Sequence, residues 1–101
     1  MKVYVHRPGS NEYKKLQNKA MSLGADKFGV STKGQYKYFV VYNSKTVHFS
    51  DRRYEDYTWH KDEARRDNYR TRHKAILKKD GKPAYTVKGT PAYFSWHILW
   101  T

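Results

Sequence analysis

The seven residues YKYFVVY at positions 36–42 constrain this chain most. Tyr36, Tyr38, Val40 and Tyr42 fall on one face of an extended chain, Phe39 and Val41 on the other, and β-branched and aromatic side chains favour that state. Asn43-Ser44-Lys45 interrupts the pattern, and Val47 and Phe49 then alternate with His48, so a β-hairpin is expected. Two shorter strands are predicted, over residues 27–31 before the turn Thr32-Lys33-Gly34, and over Met1–Val5 before Pro8-Gly9.

Helical spacing appears elsewhere. From Ser10, an N-cap residue type, Tyr13, Leu16, Ala20 and Leu23 recur three or four apart, and Gly24 follows where helices often end, which predicts a helix over about 11–23. Residues 51–79 contain neither glycine nor proline and interleave charge with Tyr57, Trp59, Tyr69 and other apolar positions. They form the principal helical region, and with Asp62 as a cap it reads as one helix or as two meeting near His60 and Lys61. Tyr57, Trp59 and Tyr69 are expected to be substantially buried framework that anchors this region to the sheet. Lys79-Asp80-Gly81-Lys82-Pro83 reads as a turn, residues 84–90 as extended. The fold class is therefore α+β: one small domain with an antiparallel sheet or hairpin and two or more helices, as 101 residues leave little room for a second core.

Lysine and arginine number 21 against 9 acidic residues, and the excess is shared by both halves of the chain, so the positive field belongs to the whole domain. Such a field attracts acidic protein surfaces, nucleic acid or acidic membranes. No apolar run is long enough to cross a bilayer, and the N-terminal residues lack the apolar core of a secretory signal, so a soluble or peripheral protein is expected. Without cysteine there are no disulfides and no thiolate metal ligands, which fits a reducing compartment.

Nothing in the sequence carries a catalytic or metal signature. There is no phosphate-binding glycine loop, no GxSxG and no HExxH, so no catalytic residue, no metal and no cofactor is assigned. The five histidines read as structural or surface residues, although His60 beside Asp62 bears a superficial likeness to nuclease sites. Glu55, Asp56, Asp62, Glu63 and Asp67 read as helix caps and ion-pair partners for the neighbouring arginines.

The basic stretch RRDNYRTRHK at 65–74 is the stronger signal. Arg65, Tyr69 and Arg72 lie three or four apart, so one helical face offers two guanidinium groups around a ring, with Arg66 beside them. That face is self-paired within the fold, or meets acidic protein, or meets nucleic acid. In PAYFSWHILW, residues 91–100, Phe94, Trp96, Ile98 and Trp100 make an apolar segment that either packs onto the domain or docks into a partner. Candidate partner-binding residues are thus Arg65, Arg66, Arg72, Phe94, Trp96, Ile98 and Trp100.

Residues 47–73, with His48-Phe49, Tyr54, Asp56-Tyr57-Thr58, His60-Lys61-Asp62, Arg65, Tyr69 and Arg72-His73, together with the ending AYFSWHILW, resemble a family of small basic proteins of unassigned activity encoded by large double-stranded DNA viruses of eukaryotes. Ser50 stands where that family tends to have glycine, and residues 1–35 have no counterpart in the pattern. The resemblance implies a virus-encoded virion component, found in the virion and, during assembly, in host cytoplasm. A minor capsid or cement protein bridging larger capsid subunits is the function expected from it, with association with the viral genome as the alternative.

Overall fold

The computed structural model describes residues 3–77 and 80–101. Met1 and Lys2 of the first predicted strand, and Lys78 and Lys79 at the end of the predicted helical region, lie outside them. Helix α1 (Asn11–Ser22) opens on the Ser10 hydroxyl, which accepts from the Tyr13 N–H, and ends at Leu23 before Gly24 turns with φ +96°. It buries Tyr13, Leu16 and Ala20. Strands β1 (Lys27–Val30), β2 (Tyr36–Tyr42) and β3 (Lys45–Asp51) then form an antiparallel meander in that order. The β2–β3 turn has only two loop residues, Asn43 and Ser44, at φ 50° and 65°, the positive pair that a right-handed twisted hairpin requires.

The chain continues through a turn into α2 (Tyr57–His60), capped by Asp56, and α3 (Glu63–Lys74), capped by Asp62. Lys61 joins them at φ 55°, so the predicted region is two helices meeting where the sequence placed the break. Its first residues, 51–56, are the end of β3 and a turn instead. A 3₁₀ turn (Ala84–Thr86) leads to α4 (Pro91–Phe94), whose Thr90 cap and Pro91 set the first turn, and α4 runs on into a π-helical turn (Ser95–Leu99).

One sheet face meets α1 and the α4 segment. Phe28, Tyr38, Val40 and Phe49 from the sheet close against Leu16, Ala20, Phe94, Ile98 and Leu99. The rings meet edge and tilt, as Phe49 does with Phe94 at 6.0 Å and Tyr42 with Phe94 at 5.6 Å. On the other face the Phe39 ring lies over Gly29, where a Cβ would come within 2.6 Å of it. A radius of gyration of 13.1 Å matches the roughly 13 Å expected of a single 100-residue domain. The architecture is α+β, with a three-stranded antiparallel sheet and four α-helical segments among the described residues.

Two expectations fail, and a third takes a different form. Residues 3–7 form no strand: Tyr4 donates one backbone hydrogen bond to Arg52 and His6 donates its N–H to the Tyr38 hydroxyl, so the segment is tied down by scattered bonds rather than a ladder. Residues 84–90 are not extended, because the Thr86 and Thr90 hydroxyls bond back to Pro83, Ala84 and Val87 carbonyls and hold tight turns. Tyr57, Trp59 and Tyr69 are half-buried, and Tyr69 is tied to β3 through the Ser95 and Ser50 hydroxyls rather than by packing its ring on the sheet. Trp59 stacks on His6 at 4.4 Å, whereas Tyr69 stacks on Trp100 at 4.0 Å.

Candidate functional site: a ring-walled basic cleft

A cleft of about 760 Å³ opens between the end of β3 with its following turn and the face of α3. Its construction begins at Ser50. Phe49 faces the core opposite Tyr38, and Ser50, at a φ of 64°, sets its hydroxyl 2.7 Å from the Ser95 hydroxyl. Left-handed backbone of this kind favours glycine, so Ser50 carries a conformation that most side chains avoid. The Tyr69 hydroxyl reaches the same Ser95 at 3.0 Å, and this hydroxyl chain joins β3, the π-helical turn and α3 at the base of the cleft.

The floor is charged and dry. Lys37, 2% exposed, pairs with Asp56, 1% exposed, and Asp56 also caps α2 through the Thr58 N–H at 2.8 Å and accepts from the Thr58 hydroxyl. Burial lowers the Lys37 pKa from its ordinary value and Asp56 opposes that shift. The Thr58 hydroxyl in turn lies 3.1 Å from His6 Nε2, and burial lowers the pKa of His6. Sequence reasoning read Asp56 as a cap and an ion-pair partner for neighbouring arginines but missed its partner, Lys37. The signal for the pair was a lysine inside a strand of rings, together with an Asp two residues before a threonine.

The walls carry the predicted arginines. Arg65, Tyr69 and Arg72 all line the cleft, as their spacing implied. Arg65 Nη1 donates to Glu55 Oε2 at 2.9 Å, whereas the Arg72 guanidinium has no ion pair or hydrogen bond among the described residues. Arg66 does not join them: it pairs with Asp67 at 3.5 Å and lies over the Tyr57 ring at 4.9 Å. Trp100 lines the cleft, and its stack on Tyr69 continues to His73, whose ring lies 3.7 Å from that of Tyr69. Opposite stands Tyr54, 65% exposed, with Arg53 over its ring at 5.7 Å. Arg53 also forks onto Asp51, holding that carboxyl at a pKa of about 2.

Of the apolar candidates, Phe94 and Ile98 are fully buried and Trp96 nearly so, under Tyr85 at 4.0 Å and Arg70 at 5.3 Å. The segment packs within the domain, and these three residues are core with no surface left for a partner. Arg70 fixes its end by donating to the Trp100 carbonyl at 2.9 Å. The histidine and aspartate of the nuclease-like pair are also used structurally. His60 Nδ1 accepts from the Asp62 N–H, and the Asp62 carboxylate caps α3. Among the described residues no three His, Asp or Glu side chains gather as a metal cluster would.

The arrangement defines a small basic α+β domain with a polar, ring-walled cleft. Residues 27–73, the sheet with α2 and nearly all of α3, are similar to a family described as "Family of unknown function (DUF5754)". No curated protein and no solved structure matches the chain. No helix among the described residues is long and apolar enough to cross a membrane.

Proposed function

We propose that the chain is a non-catalytic binding domain, a small basic minor capsid or cement protein of a large DNA virus that docks on acidic surfaces of larger capsid subunits. The observation that carries the binding reading is α3. None of its twelve residues is buried, and Arg65 and Arg72 line the cleft beside it. The acids Glu12, Asp51, Glu55, Asp56 and Asp67 each pair with a lysine or arginine of the domain itself, and the sequence carries twelve more cationic than acidic side chains. The viral setting rests on the sequence resemblance. With Phe94, Trp96 and Ile98 consumed by the core, docking falls to the basic surface.

Mass spectrometry of purified particles from a virus encoding this chain tests the proposal, with stoichiometric recovery expected and absence from particles rejecting it. Salt titration separates the partner classes. Binding that falls linearly on a log–log plot with a slope of several units marks phosphate neutralisation and favours the genome, whereas a shallow slope favours acidic protein.

A further inference from the structure

We propose that the cleft between the end of β3 and α3 binds a single nucleotide unit, an aromatic base carrying phosphate. Its volume of about 760 Å³ lies within the range of small-molecule sites and far exceeds what one carboxylate side chain fills. The carboxylates that face it are already engaged: Asp56 with Lys37 and Thr58, Glu55 with Arg65, and Asp51 with Arg53. What remains uncommitted is cationic and aromatic. The Arg72 guanidinium makes no ion pair or hydrogen bond among the described residues, its charge acting only on the neighbouring Tyr69, and a guanidinium matches a phosphate with paired N–H donors. The Asn68 amide, also lining the cleft and also without a partner among the described residues, offers a donor and an acceptor side by side for a base edge.

The rings distinguish a nucleotide from an acidic peptide. Tyr54 projects into solvent with Arg53 over its ring, and the Tyr69–Trp100 stack forms the facing side of the cleft. A solvent-exposed tyrosine and an uncommitted arginine lining one cleft can hold a stacked base and its phosphate, whereas a run of acidic side chains needs the cations and gains nothing from the rings. This inference stands apart from the docking proposal, since a domain that fails to enter particles still has the cleft, and a domain that enters them does not thereby bind nucleotide.

The test titrates the full chain with adenosine monophosphate, adenosine, inorganic phosphate, a single-stranded oligoadenylate and hexaglutamate, read by calorimetry and by amide shifts at residues 54, 68 and 72. Saturable binding of adenosine monophosphate, tighter than adenosine or phosphate alone, is expected. Both Arg72→Gln and Tyr54→Leu should weaken it by about tenfold or more, with melting temperatures unchanged because both side chains are exposed. A free nucleotide that binds as tightly as the oligonucleotide identifies a small-molecule site; an oligonucleotide that binds tighter identifies one unit of a strand. No saturable nucleotide binding overturns the proposal, as does hexaglutamate binding that is equally tight and indifferent to Tyr54→Leu.

Discussion

Helices α1 and α3 have the same length, twelve residues, and are held by opposite means. Helix α1 drives Tyr13, Leu16 and Ala20 into the core, so its position follows from apolar burial. Helix α3 buries nothing fully. It is held by the Asp62 cap, by the Tyr69 ring against Trp100, by the Tyr69 hydroxyl on Ser95 and by the Arg70 bond to the Trp100 carbonyl. One helix belongs to the framework; the other is a surface element hung on it by a few polar and aromatic contacts, with Arg70 among those contacts, Arg65 and Arg66 in ion pairs and Arg72 left uncommitted.

The α4 segment is what both helices depend on, so its removal is the harshest test of the comparison. Deleting residues 94–101 takes away Phe94, Ile98 and Leu99 together with the stacking partner of Tyr69. Loss of any cooperative thermal transition is expected, and a truncated chain that still melts sharply would mean that the core closes without this segment. Leu16→Ala acts on α1 alone and should cost about 2–5 kcal/mol in denaturant unfolding, as other buried leucine truncations do. A value inside the ordinary surface range would erase the distinction between the helices.

Acid should act on the α2–α3 side first. His6, His60 and His97 all have pKa values lowered chiefly by burial, so the unfolded chain binds protons before the folded one does. Their stabilising contribution is full above an ordinary histidine pKa of about 6.5 and is lost as pH falls below it toward the folded values. His6 stacks on Trp59 and His60 lies against Trp100, whereas the buried face of α1 contains no histidine. Hydrogen exchange at mildly acid pH should therefore quicken in α2 and α3 before α1, and uniform quickening would contradict the assignment. Tyr69→Phe keeps the stack but removes the hydroxyl bond to Ser95, for an expected loss of about 0.5–1.5 kcal/mol. Arg72→Gln should move stability by less than about 0.5 kcal/mol. A larger loss would show that Arg72 is framework after all.

The same contrast explains what could be read from the residues. Helix α1 was legible to within a residue because Ser10, the apolar spacing and Gly24 are local signals that agree with its burial. The Arg65–Tyr69–Arg72 face was equally legible, since spacing along a helix fixes which side chains share a side. The wall opposite was not, because it comes from Ser50 and Tyr54 and meets α3 only through tertiary packing. Ring content misled about Trp59 and Tyr69: an aromatic among charges announces a contact, but half-burial against His6 or Trp100 gives the same pattern as full burial against a sheet. Residues 84–90 are not extended because the Thr86 and Thr90 hydroxyls bond to nearby carbonyls and curl the chain, a local competition that residue pattern does not announce.

The dry Lys37–Asp56 pair sets rules for inheritance. Removing either partner strands the other charge in the interior, a loss of about 3–5 kcal/mol, while replacing both with neutral groups of similar shape is often tolerated. Asp56 also caps α2, so its neutral successor has to keep an acceptor, and asparagine opposite a methionine at position 37 meets both demands. Descendants of this chain can cross between the charged and the neutral floor only by paired substitution. Positions 37 and 56 should accordingly drift together, as a single unit of descent written nineteen residues apart.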